Sequence, residues 1–412
     1  MNQKFSYHWL IIIACFLLTA VSIGITVNCF GVLAPALEKE YSATKSAVQY
    51  VFMIAALANL IGSAVVGKIM GKFTMRLAMP VYAIIFSAGV FMWSNCTSLQ
   101  MYYIVAGFVG FGASGIAIIP CGALVNNWFE EKKGLATGLA FTGSGAGGLL
   151  LVQMAKYVMV NYNLQTAYLS LAIVAAVISI PITIFLVKEH PKDKGLTPYG
   201  SSTGKVSTDQ SSFPGITLKQ YIKTGSFWLL AISVFIISFI NVGLQNHLPT
   251  HLQESGHSTE IAANIFSLYL LVLIPGKILL GYIYDKVGIA LGTIYCVIAY
   301  LATAGCLLYF TGNLYFAIAC AIFFSLTGSM TTVTPPYVTA KIVGLKDFAT
   351  IFGILNLFYG IGLVVGPVVA AKIYDANTSY TYVWFTFSAM AIILGFTTIL
   401  SARKGKEYSQ MA

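Results

Sequence analysis

Acid is what this sequence lacks. Thirteen Asp and Glu residues serve 412 positions. All of them fall in polar loops or at the ends of apolar runs, so no carboxylate is available at depth for a proton relay. Pumps and proton symporters usually bury an Asp, Glu or His. No paired carboxylates, catalytic triad or metal cluster stand at useful spacing, so no enzyme is expected. A phosphate-cradling glycine loop is missing too, which argues against ATP as the driving force. No cofactor is expected. Charge of any sign is scarce at 9%, against about 25% for soluble domains. Such a surface does not suit water. The seven cysteines show no ligand spacing and read as small apolar residues.

What fills the chain is apolar: 58% of residues are hydrophobic. A helix needs about 20 apolar residues to cross the hydrocarbon. Windows of that size give twelve spans, near 9–35, 46–69, 77–94, 99–126, 134–158, 164–187, 225–248, 260–283, 288–311, 314–340, 348–372 and 381–402. The expected fold class is an all-α membrane protein. Lys and Arg then fix orientation, because short cytoplasmic loops retain them. With the N-terminus inside, 18 of the 23 basic residues lie on that side and 4 outside. Both termini are expected in the cytoplasm, in a multi-pass protein of the plasma (inner) membrane. The net charge of +10 reflects this bias and gives no reason to expect nucleic acid.

The remaining cation is Lys277, inside the run FSLYLLVLIPGKILLGYIY. A fixed cation in a span costs about 2.5–3.5 kcal/mol on insertion scales. No acid shares its run, so an anionic solute is the first candidate partner. Snorkelling toward the near membrane surface is the competing explanation. Other polar residues within spans are Asn28, Asn241 and Gln245, and Asn356 and Tyr359 in the eleventh. Each is a candidate ligand or an interhelical hydrogen bond. His247, at the end of the seventh span, reads first as an interfacial hydrogen-bond donor.

A polar stretch at 188–224, rich in Pro, Gly, Ser and Thr, separates a half at 1–187 from a half at 225–412. The halves repeat. At an offset of 215, Pro120 falls on Pro335, and Gly138, Gly145 and Gly147 fall on Gly353, Gly360 and Gly362. At 214, Gly62, Gly67 and Lys72 fall on Gly276, Gly281 and Lys286. Glycines there suit close helix packing in lipid. Lys277 pairs with Ser63, so the charge is not duplicated with the scaffold. The prolines are expected to bend spans four and ten.

Two six-span halves related by a parallel repeat resemble the major facilitator architecture. Gly281-Tyr-Ile-Tyr-Asp285-Lys286-Val-Gly288 resembles that family's gating motif. In its first-half copy, Gly67 to Lys72, glycine replaces the usual aspartate. Trp128-Phe129-Glu-Glu-Lys132-Lys133-Gly-Leu-Ala136, with the glycines that follow, is similar to the monocarboxylate transporter and oxalate:formate antiporter branch. So are Asn246-His247-Leu248-Pro249 and the glycines of span eleven. The resemblance implies twelve helices and a binding site near the midplane. It also implies a basic residue in span eight that binds the substrate carboxylate, which maps to Lys277. Two features depart from the branch: Leu273 stands where animal carriers have aspartate, and span eleven has no second cation.

The expectation is therefore a monomeric secondary transporter of a small organic monoanion, such as lactate, pyruvate or formate. Lys277 binds it with help from Asn28, Asn241, Gln245, Asn356 and Tyr359. Gly281, Asp285, Lys286, Gly288 and Lys72 form the gate. A co-transported proton and an exchanged anion both stay open. Two alternatives remain, an exporter of neutral or cationic amphiphiles and a non-transporting sensor or scaffold.

Overall fold

A computed structural model of the chain describes residues 7–70, 75–200, 216–309, 312–344 and 347–409. Among these, helices dominate and no strand occurs. Eleven helices are long and apolar enough to cross a membrane. One of them, Thr259–Leu308, holds two of the expected spans. They divide at Gly288, whose φ of 85° and ψ of 172° are not helical. That backbone region is essentially open to glycine alone.

The chain packs as two compact units, Met1–Lys205 and Val206–Ala412. In the first, the spans are Tyr7–Glu40, Lys45–Val66, Met75–Trp93, Leu99–Trp128, Leu135–Asn161 and Leu164–Leu186. In the second, Gly225–Glu254 is the seventh span, and Thr259–Leu308 carries the eighth and ninth. Leu314–Val343, Thr350–Asn377 and Thr381–Gly405 complete it. Polar side chains mark several starts. Ser98, Asn163, Thr224, Ser258 and Asn313 each accept a backbone N–H from the first turn that follows, which satisfies a donor the helix cannot.

Glycine sets the approach of spans only at some of the repeated positions. A Cβ on Gly147 would sit 2.2 Å from the Ala20 carbonyl, and one on Gly362 would sit 2.3 Å from that of Phe235. Span five thus presses on span one, and span eleven on span seven, at equivalent places. Gly62 and Gly276 likewise face Ser114 and Ser325. Gly138, Gly145 and Gly353, expected to pack in the same way, have nothing within 4 Å of a built Cβ. Close packing does not account for those three.

The bends also differ in cause. Span four breaks just before Ile118, one turn ahead of Pro120, as expected where proline removes a donor and crowds the preceding turn. Span ten breaks between Gly328 and Met330, six residues before Pro335. There Thr327, Ser329 and Thr331 bond back to carbonyls of the preceding turn, a pattern that bends helices.

The polar stretch between the halves is docked at both ends. Tyr199 donates its N–H to the Trp128 carbonyl at 2.9 Å, and Ile216 donates to that of Val343 at 3.1 Å. Trp128 and Val343 are themselves equivalent at the offset of 215. The Tyr199 carbonyl accepts from Glu130 and Glu131, and the Trp128 indole donates to Lys188. At the other end the Leu218 N–H bonds Asp347. Tyr221 is fully buried, and burial pushes its phenol up to about 12.

Candidate functional site

Lys277 follows Pro275 and Gly276 in the eighth span. Gly276 lets this helix press against span ten, its built Cβ lying 3.2 Å from the Ser325 carbonyl. At helical spacing from Lys277, Leu270, Leu273, Leu280 and Tyr284 are buried, whereas Ile274 is exposed. On the opposite side Leu271, Ile278 and Tyr282 are exposed. Lys277 itself is half-buried. It therefore lies at the border of the packed face of the span. Its Cα–Cβ bond tilts toward the helix N-terminus, which leads the stem away from the Gly288 turn. Among the described residues no acidic side chain pairs with it. A close Lys–carboxylate pair elsewhere in the chain is Lys45 with Glu38, at 2.9 Å.

The expected neutral ligands separate into two groups. Asn28 is buried in a π-helical turn, Gly24–Asn28, and its amide donates to the Ser144 carbonyl at 3.0 Å. Asn241 is buried too. Its amide donates to the Ile237 carbonyl at 2.9 Å and to the Tyr300 hydroxyl. Both residues spend hydrogen bonds on helix packing. Asn356 is exposed, and Gln245 and Tyr359 are half-buried. The Tyr359 carbonyl accepts from Ser238, and its phenol lies near Tyr269 and Tyr300. Those two tyrosines, absent from the expected set, are buried and make the interior of this unit rich in hydroxyls. No hydrogen bond joins Lys277 to Asn356 or Tyr359.

The gating motif ends the eighth span. Asp285 accepts from the Tyr337 hydroxyl at 2.9 Å, and one residue earlier Tyr284 shares a 2.8 Å hydrogen bond with Thr334. Both contacts tie span eight to span ten. Lys286 stands over the Tyr282 ring at 5.9 Å, and Gly281 has open space beside it. Lys72 lies outside the described residues. Tyr337 carried no signal in the sequence beyond being a polar residue near a span end.

The sequence pattern of the Major Facilitator Superfamily matches residues 15–313 and 266–409. The chain belongs to the Major Facilitator Superfamily. Its family and fold are those of membrane transporters. Monocarboxylate transporter 12 of Mus musculus is 23% identical over 97% of this chain and 87% of its own length. An uncharacterized MFS-type transporter of Escherichia coli, YhjX, is 24% identical over 87% and 86%. Among solved structures, the nucleoside transporter NupG superposes with a TM-score of 0.76 at 12% identity, covering 97% of this chain and 99% of that one. A bacterial homolog of the human lysosomal transporter Spinster gives 0.72 at 16%, covering 98% of both. At such identities the structural likenesses establish the major facilitator fold, and the monocarboxylate carriers supply the branch resemblance.

Proposed function

We propose that this chain is a secondary transporter that moves a small organic monoanion, of the lactate, pyruvate or formate class, by alternating access. One observation carries the reading: a half-buried ammonium at the border of the packed face of span eight, which no described acidic residue neutralises. An anion arriving there gains charge-assisted hydrogen bonds at a position where the cation is otherwise costly. A single cation suits one carboxylate better than two. Similarity to monocarboxylate transporters over nearly the whole chain supports the same class.

In this reading Lys277 binds the carboxylate. Gln245, Asn356 and Tyr359 offer neutral hydrogen bonds to the rest of the solute. Asn28 and Asn241 hold spans one and seven in shape, each within its own unit. Asp285, Lys286, Gly281 and Gly288, with Lys72, form the gate, and the Asp285–Tyr337 bond is the contact to break. The segment 188–224 links halves at 1–187 and 225–412, with both termini cytoplasmic in a plasma membrane.

The test is uptake of labelled lactate, pyruvate and formate into proteoliposomes. Wild type should transport at least one of them. Lys277→Ala should lower the rate about tenfold or more, the effect of losing one charged hydrogen bond of roughly 1.5–3 kcal/mol. Lys277→Arg should retain more than Lys277→Gln. Equal transport by wild type and Lys277→Ala would remove this residue from the mechanism.

A further inference from the structure

Three phenols share the interior of the second unit: Tyr269 on span eight, Tyr300 on span nine and Tyr359 on span eleven. Two of them have hydrogen bonds that account for the oxygen. Tyr300 accepts from the Asn241 amide and meets the Thr327 hydroxyl, and Tyr359 meets the Thr331 hydroxyl. Tyr269 is buried to 3% exposure, and among the described residues nothing bonds its hydroxyl. Its ring stacks on Phe324 with centroids 4.2 Å apart. Phenylalanine would stack as well, and a buried hydroxyl without a partner is costly. Packing therefore explains the ring of Tyr269 and leaves its oxygen unexplained.

That hydroxyl lies beside the break in span ten. A Cβ built on Gly328 would stand 3.1 Å from it and 3.0 Å from the Leu273 side chain. The hydroxyls at the break are already spent: Thr327, Ser329 and Thr331 donate to the Phe324, Leu326 and Gly328 carbonyls. Tyr269, Leu273 and Lys277 follow one another at steps of four along span eight, the spacing of helix neighbours. The Lys277 stem leans toward the Leu273 turn, and Gly328 places the Tyr269 hydroxyl close to the same leucine. Helix rise sets the Tyr269 and Lys277 Cα atoms about 12 Å apart, and the two side chains shorten that interval. An ammonium and an unbonded phenol thus stand on either side of one leucine, within a single unit.

We infer that Tyr269 determines specificity: its hydroxyl takes an uncharged oxygen of the transported acid while Lys277 holds the carboxylate. The inference rests on the proposed function and narrows its cargo to monocarboxylates with a hydroxyl or keto oxygen one or two carbons beyond the carboxylate, which formate lacks. A phenol donates to a keto oxygen and either donates to or accepts from a hydroxyl, so both kinds of acid satisfy it. Leu273, between the two polar groups, suits the carbon chain. A methyl group in place of the oxygen leaves the phenol unpaired in the complex. A site built to hydrogen-bond a substrate oxygen rejects analogues that lack it.

Two pairs of acids isolate the oxygen. Lactate and isobutyrate differ by a hydroxyl against a methyl group, and 3-hydroxybutyrate and butyrate differ by one hydroxyl. Uptake of each labelled acid into proteoliposomes gives a ratio for each pair. Wild type should favour the oxygenated acid of at least one pair by about tenfold or more. Tyr269→Phe keeps the stacked ring and should lower that ratio by about three- to tenfold, the effect of losing one neutral hydrogen bond. Lys277→Ala should lower uptake of all four acids. A wild type without preference in either pair, or a Tyr269→Phe that keeps the wild-type ratio, overturns the inference. A drop for all four acids in Lys277→Ala would leave the proposed function standing after either result, whereas uptake of none of the acids by wild type overturns both. If Tyr269→Phe fails to fold, Gly328→Ala decides: its methyl group crowds the phenol oxygen, so the ratio should fall, and an unaltered ratio refutes the inference.

Discussion

Gly288 and Lys132 have the same backbone problem with different side chains. Gly288 turns the chain between spans eight and nine at a φ and ψ that glycine adopts freely. Gly288→Ala should cost about 1–3 kcal/mol, read as a lower unfolding temperature in detergent. An unchanged melting curve would mean that the turn relaxes by another route. Lys132 sits in the left-handed region with φ of 56°, where a side chain costs roughly 1–2 kcal/mol. Lys132→Gly should raise stability by about that amount, and Lys132→Val should lower it; the same melting assay reads both. The glycine was visible in the sequence as the end of a gating motif. The strained lysine was not, because its conformation is imposed from elsewhere, by the Tyr199 carbonyl that bonds the N–H groups of Glu130 and Glu131. Lys277 was legible as a lone cation in an apolar run. That it borders the packed face depended on which neighbours bury Leu273 and Leu280, and a single run cannot state that.

At the scale of elements, the glycine ladder contains two populations. Gly147 and Gly362 occupy helix crossings with no room for a methyl group, and Gly138 and Gly353 have open space around them. Ala at either crossing should destabilise by about 1–3 kcal/mol, the usual cost of overpacking. Ala at Gly138 or Gly353 should stabilise by up to about 1 kcal/mol, because glycine is a poor helix former. Thermal unfolding of the four single variants checks this, and similar effects at all four would erase the distinction. Sequence periodicity identified the repeat because duplicated spans keep duplicated small residues. It could not sort crossing from open positions, since that depends on the facing helix. The same holds for Asn28 and Asn241, whose amides meet Ser144 and Tyr300, more than fifty residues away in sequence.

For the whole molecule, twelve spans place both ends of the chain on one membrane face. In the topology proposed above, the lysine and arginine bias assigns that face to the cytoplasm. Reporter fusions at each terminus should both show cytoplasmic activity, and reporters in the short loops after Glu40 and Glu254 should show the opposite. A split result at the two termini would mean an odd number of crossings. Composition alone determined that the solvent is lipid, because each span must bury or expose its apolar length regardless of its partners. Internal repetition fixed the division into two helical sets, since duplicated scaffolds leave the same spacing twice. Only tertiary structure decided which polar side chains are spent on packing, where the kinks fall, how the connecting segment is fastened, and that His247 meets both Pro367 and Tyr380. Those outcomes depend on distances between residues remote in sequence, which one-dimensional patterns do not contain.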